Sequence, residues 1–215
     1  MTMKAQATRQ AVLETAQALL RKGLVEGTSG NVSGRDPDGS VVLTPSSVPY
    51  DTMTLDDLVV CSLDGDVLDG VRGPTSEKAL HLEVLRRYPE IGGVIHLHPI
   101  YATMFALIHE PIPAVIEEVV VYIGGDVPIA EYRTTGTDDL GAEAARHLGD
   151  RSAVLLANHG MVVVGKDPAE ALHHAGVVER TAQIVWGARQ VGEIVPIPQK
   201  VNDDFAGVYR LLRGI

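Results

Sequence analysis

His96 and His98 stand two residues apart, and that spacing on an extended chain puts both imidazoles on one face. Neutral imidazoles gain little from each other, and a divalent cation is the chemical reason to pair them. A pair of partly exposed histidines at a strand end would have the same spacing, so the motif alone is ambiguous. His159 lies in Asn158-His159-Gly160 between two apolar runs, which places it on a sharp turn at the edge of a sheet. Glu77 falls in the first turn of a helix, where a carboxylate also complements the helix dipole. Three histidines and one carboxylate suit zinc or a similar divalent ion, although spacing cannot show that they meet.

A second group of residues suits an anion. Gly27-Thr28-Ser29-Gly30-Asn31, Ser46-Ser47 and Thr75-Ser76 each offer small side chains, hydroxyls and free backbone donors. Thr75-Ser76 opens a helix, where unpaired N–H groups favour negative charge. Turns and helix caps use the same residues, and none of the three segments is a Walker or dinucleotide-binding pattern.

The elements that must position these groups alternate. A helix is expected over residues 7–22, with Val12, Ala16, Leu19 and Leu20 as its apolar stripe and Gly23 as its cap. Two short strands flank the Asp36-Pro37-Asp38-Gly39 turn, residues 44–50 form a proline-stiffened loop, and residues 56–70 form a strand, a turn and a strand. A second helix opens at Gly73-Pro74-Thr75-Ser76-Glu77 and ends near residue 88, before Pro89. Residues 93–98 are a strand, 100–108 a helix, 115–122 a β-branched strand interrupted by Glu117-Glu118, and 137–148 a helix. Two buried strands follow at 153–157 and 161–164, and Asp167-Pro168-Ala169-Glu170 starts a long helix reaching about residue 190. This alternation predicts a sheet covered by helices on both faces, but pattern does not order its strands.

Composition narrows the partners. A chain of 215 residues suits a single domain over 1–215. A formal charge of −10 argues against nucleic acid without excluding one small phosphate. The lone Cys61 cannot close an internal disulfide, no segment is apolar enough to span a membrane, and the first ten residues lack a signal-peptide core; a cytoplasmic protein is expected. His81, His109 and His147 read as surface or packing residues, and His173-His174 on a helix point apart. Glu179-Arg180 reads as a solvated helix face and Trp186 as core or interface.

Taken in order, several motifs resemble the class II aldolase/adducin family. They are Gly27-Thr28-Ser29-Gly30-Asn31-Val32-Ser33, Leu43-Thr44-Pro45-Ser46-Ser47-Val48-Pro49-Tyr50, Pro74-Thr75-Ser76-Glu77, His96-Leu97-His98, Ile112-Pro113-Ala114, Gly136-Thr137 and Asn158-His159-Gly160. The resemblance covers nearly the whole chain. It implies an α/β fold, a single three-layer α/β/α sandwich with a central, mainly antiparallel sheet, assembled as a homotetramer with active sites at subunit interfaces. It further implies one divalent metal per subunit, zinc first and manganese or cobalt as alternatives, on His96, His98 and His159. Glu77 carries over as the acid–base residue that also reaches the metal, and Gly30, Asn31, Thr44, Ser47, Thr75 and Ser76 as the substrate-phosphate positions.

The implied reaction is reversible cleavage of a ketose 1-phosphate to dihydroxyacetone phosphate and an aldehyde. The substrate would be L-fuculose 1-phosphate or a 5-deoxy- or 5-methylthio-ribulose 1-phosphate. The sugar-phosphate aldolases of the family carry a tyrosine soon after the Ile-Pro-Ala segment, contributed by a neighbouring subunit as the acid. Here Glu117 takes that place beside Glu118, with Tyr122 as an alternative donor. A carboxyl could serve only if desolvation kept it protonated. A sugar-phosphate 4-epimerase of the ribulose-5-phosphate type and a non-catalytic adducin-like module are the rival readings.

Overall fold

Short β-branched runs flanked by turn residues form strands buried on both faces, while the apolar stripes between them form the helices that cover those faces. The computed structural model describes residues 3–214. In chain order it contains α1 (Gln6–Arg21), β1 (Asn31–Arg35), β2 (Val41–Leu43), β3 (Val59–Cys61), β4 (Val67–Asp69), α2 (Lys78–Arg87), β5 (Gly93–Leu97) and α3 (Ile100–Ile108). There follow α4 (Glu117–Ile123), β6 (Ile129–Ala130), α5 (Asp138–Leu148), β7 (Ala153–Leu156), β8 (Gly160–Gly165), α6 (Pro168–Val191) and α7 (Gln199–Arg213).

The strands make one eight-stranded sheet in the order β4-β3-β2-β1-β5-β8-β7-β6. All pairings are antiparallel except β6 with β7. Alternation along each strand sends residues to two separate cores. Ile95 and Leu97 face one core with α1, α3, α4 and α6, while Val94 faces the other with α2 and α5. The expected three-layer α/β/α sandwich with a mainly antiparallel sheet is therefore what the chain forms.

Local signals act as expected at several boundaries. Gly23 follows α1 with φ +68°, and the backbone of Leu24 bonds to the carbonyl of Leu19, closing the helix. The Asp167 side chain accepts from the Glu170 amide at 2.8 Å, and Pro168 takes the first position of α6.

Two departures are informative. Residues 115–122 are not a strand: Glu117–Ile123 is a helix. Glu117 and Glu118 complement the dipole of its first turn, and Val119, Val120 and Ile123 bury one side, so packing overrides β propensity. Helix α7 lies beyond the last element expected from sequence. It starts after Pro198 and anchors through Tyr209, which is buried.

Candidate metal centre

The antiparallel register between β1 and β5 pairs Asn31 with His96, and β5 pairs with β8 on its other side. His96 and His98 therefore project from the α2 side of the sheet, His98 just past the end of β5. His159 reaches the same place from the three-residue turn between Leu156 and Gly160, in which Asn158 adopts φ +56°. Asparagine tolerates that left-handed conformation, and its Oδ1 lies 2.6 Å from His109 Nε2. Glycine is required beside it, because a Cβ on Gly160 would come within 2.5 Å of the His98 ring. Glu77 is not within the first turn of α2 but is the residue before it, with φ −100°. That non-helical backbone turns its carboxylate toward the histidines instead of along the helix.

The three imidazoles form one group, with their nitrogen ligand atoms all within 4.8 Å of one another. His98 Nε2 is 2.9 Å from His96 Nε2, Glu77 Oε2 is 3.1 Å from His96 Nε2, and Glu77 Oε1 is 3.5 Å from His159 Nε2. Ligands of a tetrahedral zinc at ordinary bond lengths sit roughly 3.3 Å apart, a value these separations bracket. The hydrogen bonding sharpens the case. His96 Nδ1 lies 3.0 Å from the Met161 carbonyl, which only accepts, so the ring carries its proton there. On ligation His96 sheds any proton at Nε2 and turns that lone pair to the ion, beside a carboxylate oxygen and a second imidazole. A cation at that point satisfies all of them, so the donor set fits a divalent metal.

Burial and neighbours set the protonation states. His98 is pushed down to about 4 by burial, then by His96 and His159, and His159 is lowered for the same first reason. Both rings are thus neutral, as ligation requires. Burial pushes the Glu77 carboxyl up, but the contact with His96 and hydrogen bonds from Asn31 Nδ2 at 3.0 Å and Thr135 Oγ1 at 2.9 Å outweigh it. The group is held well below the usual carboxylate range and stands ionised. Thr135 carries no sequence signal of its own, because it arrives from the loop between β6 and α5. His81 is buried against Asn31 and Ser33, so it belongs to this network and not to the surface.

The anion-type loops converge beside the histidines. Pro45 and Pro74 form a bridge, the Thr75 amide donates to the Thr44 carbonyl at 3.1 Å, and the Tyr50 hydroxyl donates to the Gly30 carbonyl at 2.7 Å. Gly30 has φ +80°, and a Cβ there would stand 2.8 Å from the His96 carbonyl oxygen. Ser47, with φ +59°, and Ser76 are exposed, whereas Thr44, Thr75 and Asn31 are buried. Thr44 Oγ1 accepts from the Val32 amide at 3.1 Å and Thr75 Oγ1 from the Glu77 amide at 3.2 Å. Asn31 is committed to Glu77, so these side chains shape the cradle more than they line it.

Glu117 and Tyr122 are not part of the cluster. Among the described residues neither makes a hydrogen bond or ion pair with Glu77 or the three histidines, and Tyr122 lines a cavity with Ile91 and Gly165 at the other end of β5 and β8. Nor is Glu179 merely solvated: its carboxylate accepts from the amides of Tyr101 and Ala102 at 2.9 and 2.8 Å, capping α3 directly after His98 and Pro99. Trp186 is 45% exposed, with its ring 5.6 Å from that of Tyr101.

Comparison with known proteins gives the family and the fold. An L-fuculose 1-phosphate aldolase is 33% identical, with TM-score 0.91 over 98% of each chain. YgbL of Escherichia coli, described as a candidate aldolase/epimerase/decarboxylase, is 25% identical, with TM-score 0.85 over 95% of this chain and 100% of the other. The L-fuculose-1-phosphate aldolase of Thermus thermophilus is 26% identical, with TM-score 0.77 over 89% of this chain and 98% of the other. Residues 10–186 match the family described as Class II Aldolase and Adducin N-terminal domain, and the chain belongs to that family.

Proposed function

We propose that this chain is a divalent-metal-dependent aldolase that reversibly cleaves a ketose 1-phosphate to dihydroxyacetone phosphate and an aldehyde. The observation that carries the reading is the meeting of three imidazole nitrogens and the Glu77 carboxylate at one point, in a chain of an aldolase family. A Schiff-base route finds no support: Lys78, beside Glu77, is turned away and donates to the Gly65 carbonyl at 2.7 Å.

His96, His98, His159 and Glu77 would hold the ion, zinc by the nature of the donors, with manganese or cobalt accepted by the same set. When bound, such an ion supplies Lewis-acid stabilisation of the negative charge that develops on the ketose oxygens as the C3–C4 bond breaks. Glu77 takes the C3 proton of dihydroxyacetone phosphate in the synthetic direction and returns it in the cleavage direction. Its ionised state suits a base. Backbone N–H groups and hydroxyls around Gly30, Ser47 and Ser76 receive the phosphate, with Asn31, Thr44 and Thr75 bracing them.

The acid for the aldehyde oxygen is Glu117 or Tyr122 of a neighbouring copy, because neither reaches the cluster within one chain. This reading takes the protein as a cytoplasmic homotetramer with its sites at subunit boundaries. An exposed apolar stripe on α3 beside His98, made of Ile100, Met104, Leu107 and Ile108, suits packing against a second copy. The likeness to an L-fuculose 1-phosphate aldolase makes that sugar phosphate the first substrate to try, with 5-deoxy- and 5-methylthio-ribulose 1-phosphates next.

Glu77→Ala is the test. The variant is expected to keep bound metal yet lose exchange of the C3 proton of dihydroxyacetone phosphate, and full exchange would sink the assignment. Incubation with pentose 5-phosphates separates the rival: a 4-epimerase interconverts them without releasing dihydroxyacetone phosphate.

A further inference from the structure

Behind Glu77 lie three buried polar groups, of which the chemistry above uses only Asn31. Ser33 and His81 have no solvent exposure and Asn31 has 6%. They meet because Asn31 and Ser33 alternate onto one face of β1, while His81 stands in the first turn of α2, just after Glu77 at the helix's N-cap. His81 is bonded at both ring nitrogens, with Nε2 2.5 Å from Asn31 Oδ1 and Nδ1 2.7 Å from Ser33 Oγ.

One assignment of protons satisfies every member. The Glu77 carboxylate only accepts, so Asn31 must turn Nδ2 toward Oε2, 3.0 Å away. That turns the amide carbonyl toward His81, which must donate from Nε2. Nδ1 is left with a lone pair and accepts the Ser33 hydroxyl proton, which rotates to suit. Burial pushes His81 down to about 3, so the ring is neutral and has only the one proton this chain requires.

We propose that His81 is a positioning residue, whose Nε2–H fixes the Asn31 amide with its NH2 group toward Glu77 and thereby holds the carboxylate aimed at the histidines. Without that proton the amide is free to turn over, which brings a carbonyl oxygen against the carboxylate. A side chain that merely filled this part of the core would tolerate leucine.

The kinetic part of the test rests on the reading of Glu77 as a base, and the spectroscopic part does not. In protein with labelled histidine nitrogens at neutral pH, with and without added zinc, long-range nitrogen–proton correlations should find His81 protonated at Nε2 and bare at Nδ1. The opposite tautomer, or a doubly protonated ring, overturns the proposal. In metal-replete protein, His81→Leu should slow C3 proton exchange by about 10- to 100-fold at unchanged metal content. His81→Gln, which keeps an N–H donor at the position of Nε2, should stay within about 3-fold of the parent. Because His81 acts through Asn31, adding His81→Leu to Asn31→Ala should cost nothing further. Parent-like exchange in His81→Leu, or losses that add in the double variant, would overturn it. If the leucine variant does not fold, the glutamine variant and the tautomer decide. Absence of exchange in the parent would count against the aldolase reading alone, since the tautomer still tests the relay.

Discussion

The two ends of the β5–β8 pair bury polar groups in opposite ways. At the end near Ile91 and Gly165, donors meet acceptors. Tyr209, 4% exposed, donates to the Asp150 carbonyl at 2.5 Å, shares a 3.1 Å contact with Ser152 Oγ and accepts from Arg213, while His174 Nδ1 donates to the Val164 carbonyl at 2.6 Å. A cavity of about 200 Å³ lies there, lined by these side chains with Tyr122 and Lys166, and its polar walls bond to one another. At the His98 end one nitrogen from each of three imidazoles converges beside a carboxylate, a set of donors suited to a cation. A satisfied buried network contributes stability, whereas one that lacks a positive centre marks a place for a ligand.

The contrast can be broken most sharply at His96. His96→Ala should weaken zinc binding by about 100-fold or more, since loss of an outer partner of a ligand already costs roughly 10- to 100-fold. Equilibrium dialysis checks this, and near-parental binding would detach His96 from the centre. Stripping the parent with a chelator comes next. Metal at roughly 100 times its dissociation constant stabilises by about 2.7 kcal/mol, so the melting temperature should fall by roughly 5–10 °C, an effect that His96→Ala should abolish. Tyr209→Phe probes the other end. It removes a hydroxyl shared by three partners and should cost about 1–2 kcal/mol of stability in urea unfolding, with metal content and proton exchange at parental levels. Loss of metal in that variant would erase the distinction between the two ends.

The smallest effect is in the pH dependence of stability. His81, pushed down to about 3 from 6.5 by burial and then by His96, stays neutral in the fold but protonates in the unfolded chain. Its contribution is complete above pH 6.5 and is lost as pH falls toward 3, amounting to about 1.4 kcal/mol by about pH 5.5. Metal-free His81→Leu should therefore show a shallower decline than the parent over this range, and an identical slope would contradict a neutral buried His81.

Much of this site is legible in the sequence because strand period is strict. His96 and His98 share a face whatever the strand order, and Asn158-His159-Gly160 between two apolar runs can only be a turn. Glu77 is legible as a helix-start carboxylate but not as a residue whose non-helical backbone redirects it. His81 reads as packing, although its four-residue spacing from Glu77 and the Asn31-x-Ser33 alternation are both in the sequence. Only the packing of α2 against β1 makes those two patterns one chain of hydrogen bonds. Thr135 comes from a loop whose path depends on β6, a two-residue strand with no pattern of its own. Helix α4 reads as a strand because its valines and isoleucine suit either state, and the choice rests on burial against α6 and α7. Helix α7 does carry a signal: Val201, Phe205 and Tyr209 recur every four residues after Pro198.

A metal held by these histidines and Glu77 would enable proton removal from a three-carbon phosphate. Proton NMR of dihydroxyacetone phosphate in deuterated buffer tests it directly. Stereospecific loss of one C3 proton, stopped by a chelator and restored by zinc, is the predicted result. Exchange that ignores the chelator, or none in metal-replete protein, would contradict it.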